Sequence, residues 1–257
     1  MTDMRAIRPP LSRFGESALI TGLVILFFVL WELSVDGFHV PEYVLPAPSR
    51  ILRQLVTDFA TGTILPHLWV TLVEVLAGFA VAVFAGLVLG TATGLIPLFE
   101  RVTYPFILGF QAVPKVAIAP LLIIWFGYGL QSKIVTAAVI SFFPLFVNVA
   151  TGLKTVDPRR LLLMRALKAS AIQTYLKVRL PSMLPYLFSG LEVALVFSII
   201  GAIVGEFIGS SVGLGSVIVQ RQASIDVAGV FSVVIILSLM GIILTWLLRL
   251  AQRRYHY

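Results

Sequence analysis

Cysteine is absent from all 257 residues, which excludes disulfides, thiolate nucleophiles and Cys-based metal sites. Charge is scarce. Only 12% of the residues are Asp, Glu, Lys or Arg, against about a quarter in an ordinary soluble domain. So little charge excludes a water-facing surface over the whole chain. The three histidines, His39, His67 and His256, are scattered and peripheral in the sequence, without metal-ligand spacing. No Gly-x-x-x-x-Gly-Lys-Ser/Thr run is present to cradle a phosphate. The chain therefore does not hydrolyse ATP by that route. Paired carboxylates in one motif and a nucleophile beside a base are also missing, so no catalytic residue is assigned and no cofactor is expected in this chain.

What remains is apolar. Hydrophobic residues make up 59% of the sequence, and the mean hydropathy is +1.01. A membrane-spanning helix takes roughly 20 apolar residues, so the length admits about six spans and no sizeable soluble domain. We expect an all-α membrane protein, with residues 1–257 as a single transmembrane domain. The apolar segments run over residues 18–35, 67–96, 104–126, 134–153, 186–208 and 227–250. Arg5, Arg8 and Arg13 precede the first run, but no small-x-small cleavage site follows it, so it reads as a retained span. Between the first two runs, Ile51, Leu52, Leu55, Val56 and Phe59 repeat at helical spacing. A short interfacial helix is expected over residues 49–60. Gly78, Ala82, Gly86, Gly90 and Gly94 recur every four residues on the second span, and Gly190, Ala194, Ser198 and Ala202 on the fifth. Small residues at this spacing let backbones approach closely in lipid, so both spans should be central.

The positive charge is one-sided. With alternate connections assigned to opposite faces, one face receives 14 Lys and Arg and the other 4. Lysine and arginine accumulate on cytoplasmic loops, which places both termini and the 154–185 loop in the cytoplasm. That loop carries a basic island, "RALKASAIQTYLKVRLPSMLP" over residues 165–185. The island admits three interpretations: a topology anchor, a site for anionic lipid headgroups, or a docking helix for a cytoplasmic partner. Periodicity favours the third. Met164, Leu167, Ala171 and Tyr175 share one helical face, while Arg160, Arg165, Lys168 and Lys177 flank it or lie elsewhere. The helix is expected to stop before Pro181 and Pro185. No nucleic-acid partner is expected.

The same loop resembles the coupling loop of binding-protein-dependent ABC importer permeases. Their pattern is Glu-Ala-Ala, three residues, Gly, nine residues, then Ile-x-Leu-Pro. Here the closing element is Val178-Arg179-Leu180-Pro181, and Ala169-Ser170 stands where Ala-Ser commonly follows the Gly. Leu162 replaces the Glu, Leu163 and Met164 the two Ala, and Lys168 the Gly. "LPAPSRIL", "APLLIIWFGYGLQSKI", "VDPRRLLLMRALKAS", "LPYLFSGLEVA" and "GEFIGSSVGLGSVI" occur in the family's order and resemble its nitrate/sulfonate/taurine branch. "PKVAIAP" and "GEFIG" look closer to the riboflavin and thiamine-pyrimidine-precursor subgroup. The resemblance implies a type I importer fold in a bacterial cytoplasmic (inner) membrane. It also implies a second permease copy as a homodimer, two copies of an ATPase that carries ATP and Mg, and an extracytoplasmic solute-binding protein. The substrate it implies is a vitamin or heterocyclic precursor, or a small organic anion. The island then becomes the helix that couples permease to ATPase.

Ionisable groups inside spans are functional candidates. Lys115 lies near the middle of the third span, bracketed by Pro114 and Pro120. It either contacts solute or pairs with a buried acid, for which Glu74, Glu192 and Glu206 are available. Glu192 is nearest to it in depth, and Glu206 sits beside "GSSVGLG" as a gate or as an exposed interfacial residue. Gln111 and Asn148 complete the pathway candidates. Lys115 and the three glutamates would equally serve an ion-gradient relay in a self-sufficient transporter.

Overall fold

The computed structural model describes the backbone of residues 13–253, and their side chains except those of residues 13–16, Tyr104, Leu108, Gln111 and Ala112. The described chain is helical throughout. Helices α1 (Arg13–Gly37), α2 (Pro48–Ala60) and α3 (Leu65–Leu95) are followed by α4 (Pro97–Ala112), a 3-10 turn (Lys115–Ile118) and α5 (Ala119–Phe126). Then come α6 (Leu130–Lys154), α7 (Pro158–Ala166), α8 (Ala171–Thr174), a π turn (Tyr175–Arg179), α9 (Leu180–Gly209), α10 (Leu214–Ala223) and α11 (Val227–Arg253).

Among the described residues, five helical stretches are long and apolar enough to cross a membrane: residues 17–37, 65–95, 130–154, 171–209 and 227–253. The third of the expected segments is broken. Its stretch is shared between α4, the 3-10 turn and α5, and only Lys115–Phe126 forms a further, shorter apolar helix. The break falls at Val113, which is extended (φ −72°, ψ 127°). A residue before proline is pushed out of the helical region, and Pro114 imposes this on Val113.

The small-residue stripes seat α6. It lies between α3 and α9 and is the most buried of the spanning helices, so the central helix is the fourth apolar segment, with the glycine-striped ones against it. A methyl carbon on Gly90 would stand 2.8 Å from Val149, and one on Gly201 would stand 2.6 Å from the Ala137 Cα. These backbones touch because the side chains are missing. Two apolar clusters fill the rest. Val75, Leu195, Ala202, Leu214 and Val233 pack at the end that carries α10, called here the far end. Leu145, Val149, Leu153, Met183 and Ala194 pack toward the basic loop.

The basic loop departs from expectation in two ways. It is interrupted at residues 167–170, and it is not stopped by proline. From Ala171 the chain is helical to Gly209, a rod of about 58 Å at ~1.5 Å per residue. Pro181 lacks an N–H, and its ring crowds the carbonyl four residues back. The preceding turn widens to accommodate it, with the Leu180 N–H reaching the Tyr175 carbonyl five residues back. A single π turn of this kind absorbs such a misfit without ending a helix.

Helix α2 forms where a short helix was expected, but its apolar residues divide. Ile51 and Asp58 are buried, whereas Leu52, Val56 and Phe59 are exposed. Asp58 decides the docking face. It accepts hydrogen bonds from Arg221 Nη1 at 2.8 Å and Nη2 at 2.5 Å, Ser232 Oγ at 2.8 Å and Gln54 Nε2 at 2.9 Å. One carboxylate thereby ties α2 to α10 and α11.

Candidate functional site

The basic loop presents a turn between two short helices. Asp157 caps α7 by accepting from the Arg159 N–H at 2.8 Å. At the other end of α7, the Lys168 N–H donates to the Arg165 carbonyl at 2.9 Å and the Ala169 N–H to the Met164 carbonyl at 2.9 Å. This pair of bonds is a Schellman closure, which demands a left-handed residue. Lys168 is that residue, with φ 51°. The position where the resembled family carries Gly thus keeps the backbone that favours Gly. Ser170 then opens α8 with a reciprocal capping box to Gln173, at 3.2 Å and 2.9 Å.

This turn resets the helical phase, so the face expected from Met164, Leu167, Ala171 and Tyr175 is split. Met164 and Tyr175 are half-buried, and Tyr175 packs against the apolar cluster behind the loop. Leu167 is 68% exposed and Ile172 71%. Together with Leu162 and Leu163 they make an exposed apolar ridge. Ala171 and Lys177 are exposed on the same loop, as are Arg160, Lys168, Ser170 and Pro181, while Ala169, Val178 and Leu180 are partly covered. No cation from Arg159 to Arg179 forms an ion pair among the described residues.

At the far end the structure assembles a buried polar cluster that the sequence dispersed. Glu206 is 1% exposed and Glu74 is fully buried; the expectation of an interfacially exposed Glu206 is thereby corrected. Thr71 Oγ1 donates to Glu206 Oε1 at 2.6 Å, and the Gly215 N–H donates to Glu206 Oε2. The Leu214 N–H reaches Thr71 Oγ1 at 2.8 Å, and the Gly213 N–H reaches His67 Nδ1 at 3.0 Å. Glu206 and the two α3 side chains therefore bolt down the 210–215 turn. Gly213 is required there, because its φ is 127° and a Cβ would run into the Glu206 carboxylate.

Lys133 completes the cluster. Counted as a connecting-loop charge by sequence, it stands in the first turns of α6, 7% exposed. Its ammonium is 3.6 Å from Glu74 Oε1 and donates to Ser210 Oγ at 2.7 Å. A cavity of 610 Å³ opens beside it, lined by Glu74, Tyr128, Lys133 and Ser210 among others. Neither Lys133 nor His67 stood out in the sequence. One sits four residues past the Gly127–Gly129 break and the other at a helix start, where charge and histidine are ordinary.

The expected ion pair of Lys115 does not form among the described residues. Its Nζ sits 5.1 Å from the centroid of the Phe143 ring, a cation–π contact. The corrected partners are Lys133 for Glu74, and Arg249 for Glu192. Arg249 Nε and Nη2 each donate to Glu192 at 3.1 Å, on an outward-facing side of the bundle. Glu192 therefore does not gather with Lys115. Phe143 stacks on Phe110 at 5.5 Å and Phe142 stacks on Phe146 at 5.4 Å. These four rings, with Thr103 and further apolar side chains, line a cavity of 300 Å³ that reaches Lys115 through Phe143. Asn148 Nδ2 donates to the Pro144 carbonyl at 2.8 Å and lies at the contact with Gly190. Its place is a helix crossing. The side chain of Gln111 lies outside the described residues.

The formylaminopyrimidine transport permease protein ThiX of Halalkalibacterium halodurans is 33% identical over 85% of this chain and 87% of its own. The riboflavin transport system permease protein RibX of Chloroflexus aurantiacus is 34% identical over 95% and 91%. The taurine transport system permease protein TauC of Escherichia coli is 30% identical over 96% and 91%. A chain from an inward facing structure of the MetNI methionine ABC transporter superposes with a TM-score of 0.61 at 23% identity. It covers 75% of this chain and 99% of the other, which establishes the shared fold. The profile of the family described as binding-protein-dependent transport system inner membrane component matches residues 82–257. The chain belongs to that family, and it is the permease subunit of an ABC importer.

Proposed function

We propose that this permease carries a vitamin or heterocyclic precursor across a bacterial cytoplasmic membrane, as one half of a homodimer. Two copies of a separate ATPase, holding ATP and Mg, would drive it, and an extracytoplasmic binding protein would deliver the solute. The ATPase would dock at residues 160–177, with both termini on that side. The observation that carries this reading is the continuity of the rod from Ala171 to Gly209. One end of it carries the exposed Ile172, with the exposed Leu167 just across the turn at residues 167–170. The other holds Glu206, which bolts the far-end turn. A displacement of Ile172 by ATP-driven closure of the ATPase would be carried along this rod to the Glu206 bolt. Alternating access needs such a two-state element.

The solute class rests on the names of the pyrimidine and riboflavin relatives. Lys115 and its phenylalanine rings are the pathway residues in this reading. A flat heterocycle can stack on an aromatic ring, and the lysine suits a carbonyl or anionic edge. A small organic anion, as in the taurine relative, is the second reading, favoured by Lys115 alone.

The test is Leu167→Asp in the purified complex in liposomes. A charge on the ridge should leave the chain folded in the membrane and abolish ATP-driven uptake of the binding-protein-delivered solute. Uptake at the wild-type rate would refute the docking assignment.

A further inference from the structure

Resting on the docking reading above, we infer that the basic loop receives an acidic side chain of the ATPase in a cavity between α7 and α8. The cavity holds 280 Å³ and is lined by Arg165 and Arg179, with Thr174 and Tyr175, over a floor that includes Leu95 and Leu161. The two guanidiniums come from opposite sides of the Schellman turn, fourteen residues apart in sequence. Neither is ion-paired among the described residues. The loop's nearest acid, Asp157, is already engaged in capping α7.

Three physical points select the occupant. A guanidinium matches a carboxylate with bidentate geometry, and such charge-assisted bonds are about twice as strong as neutral ones. The hydroxyl of Tyr175 adds a neutral donor at the same cavity, whereas that of Thr174 is already given to the Ser170 carbonyl. The residues that line the cavity flank the exposed Leu167 and Ile172 in sequence, apolar side chains that a protein surface would cover. A carboxylate entering there is therefore part of a larger protein contact. The loop carries Leu162 where the family it resembles carries Glu. The loop thus offers cations and no acid at this place, and the complementary anion falls to the ATPase.

This contact fixes register and orientation, and the apolar ridge supplies burial. Arg179 is also placed to report on its occupancy. It is the last residue of the π turn, at the head of α9, so a carboxylate on it would pull directly on the rod.

The experiment uses the whole permease–ATPase complex. Arg165→Lys and Arg179→Lys are made separately in a background where Lys168 and Lys177 are arginine, and each is treated with a zero-length carbodiimide. A lysine amine in contact with a carboxylate forms an amide with loss of water. The expected result is a permease–ATPase product, mapped by mass spectrometry to one Asp or Glu of the ATPase. Arg165→Glu should weaken assembly about 10- to 100-fold, as expected for loss of a charge-assisted bond. Changing the mapped acid to Arg should restore it.

An intact complex with no amide product and an undiminished Arg165→Glu affinity would overturn the inference and leave the docking reading standing. So would assembly that fails only when anionic lipid is omitted, which assigns the cavity to a headgroup phosphate. Absence of the ATPase from the wild-type preparation would instead overturn the docking reading itself.

Discussion

Removal of the Asp58 carboxylate should undock α2. Asp58 is 2% exposed and accepts four hydrogen bonds, two of them from the Arg221 guanidinium. Asp58→Ala leaves that partly buried guanidinium with only the Gly229 carbonyl at 2.9 Å and Asp226 at 3.8 Å. Breaking a buried pair by deleting one partner costs about 3–5 kcal/mol. The two surviving contacts place Arg221 at the lower end, about 3 kcal/mol, or a roughly 150-fold shift in the opening equilibrium of α2. The absence of cysteine makes this measurable, since a single introduced thiol labels alone. Ile51 lies on the docked face, 3% exposed. The maleimide labelling rate of Ile51→Cys should rise by that factor when Asp58→Ala is added. A rise of less than about fivefold would be the signature of an exposed pair and would refute the argument. Replacing both partners, Asp58→Leu with Arg221→Met, should recover much of the protection, because it strands no charge.

Burial alone would raise the Asp58 pKa, but the bonds from Arg221, Ser232 and Gln54 outweigh it and hold it below the ordinary aspartate value. The folded state then binds fewer protons there than the unfolded chain. Its contribution is fully present above the unfolded value of about 3.9 and is lost as pH falls through the folded value. Thermal midpoints of the purified protein should fall in acid, and less steeply in Asp58→Asn. At the Schellman turn, Lys168→Gly should raise the thermal midpoint by relieving a left-handed strain of about 1 kcal/mol, with ATP-driven uptake retained. Gly201→Ala should lower it by about 1–3 kcal/mol of overpacking, because the Ala137 backbone cannot retreat from a methyl 2.6 Å away. Arg249→Ala should change the thermal midpoint little, since its Glu192 pair is half-exposed and such pairs contribute about 0–1 kcal/mol.

Much of the site was hidden because its residues are ordinary in sequence. Lys133 follows Gly127 and Gly129, the composition of a polar connection, and only the packing of α9 against α6 buries it. His67 begins a helix, and only the return of the 210–215 turn gives its ring a donor. The Lys115 pairing failed for a different reason. Depth along a span orders residues in one dimension, whereas an ion pair also needs the helices' facing sides. Glu192 matches in depth but points toward α11.

By itself, the sequence determined the membrane class, the helical elements, the small-residue faces that pack and the basic loop. These are properties of a stretch and its period, set by transfer of apolar groups from water and by backbone hydrogen bonding within one helix. The loop's family motif was legible for the same reason, as local spacing. The tertiary structure alone decided which buried charge meets which, and how the chain negotiates its prolines. A charge's partner depends on helices distant in sequence, as Thr71 and Glu206 show at a separation of 135 residues. Whether Pro181 ends a helix depends on whether the rod is held by packing before and after it, and here Tyr175 and Met183 in one apolar cluster hold it. Lys168 joins the two levels. The sequence shows the missing glycine, and only the folded turn shows that its conformation was kept.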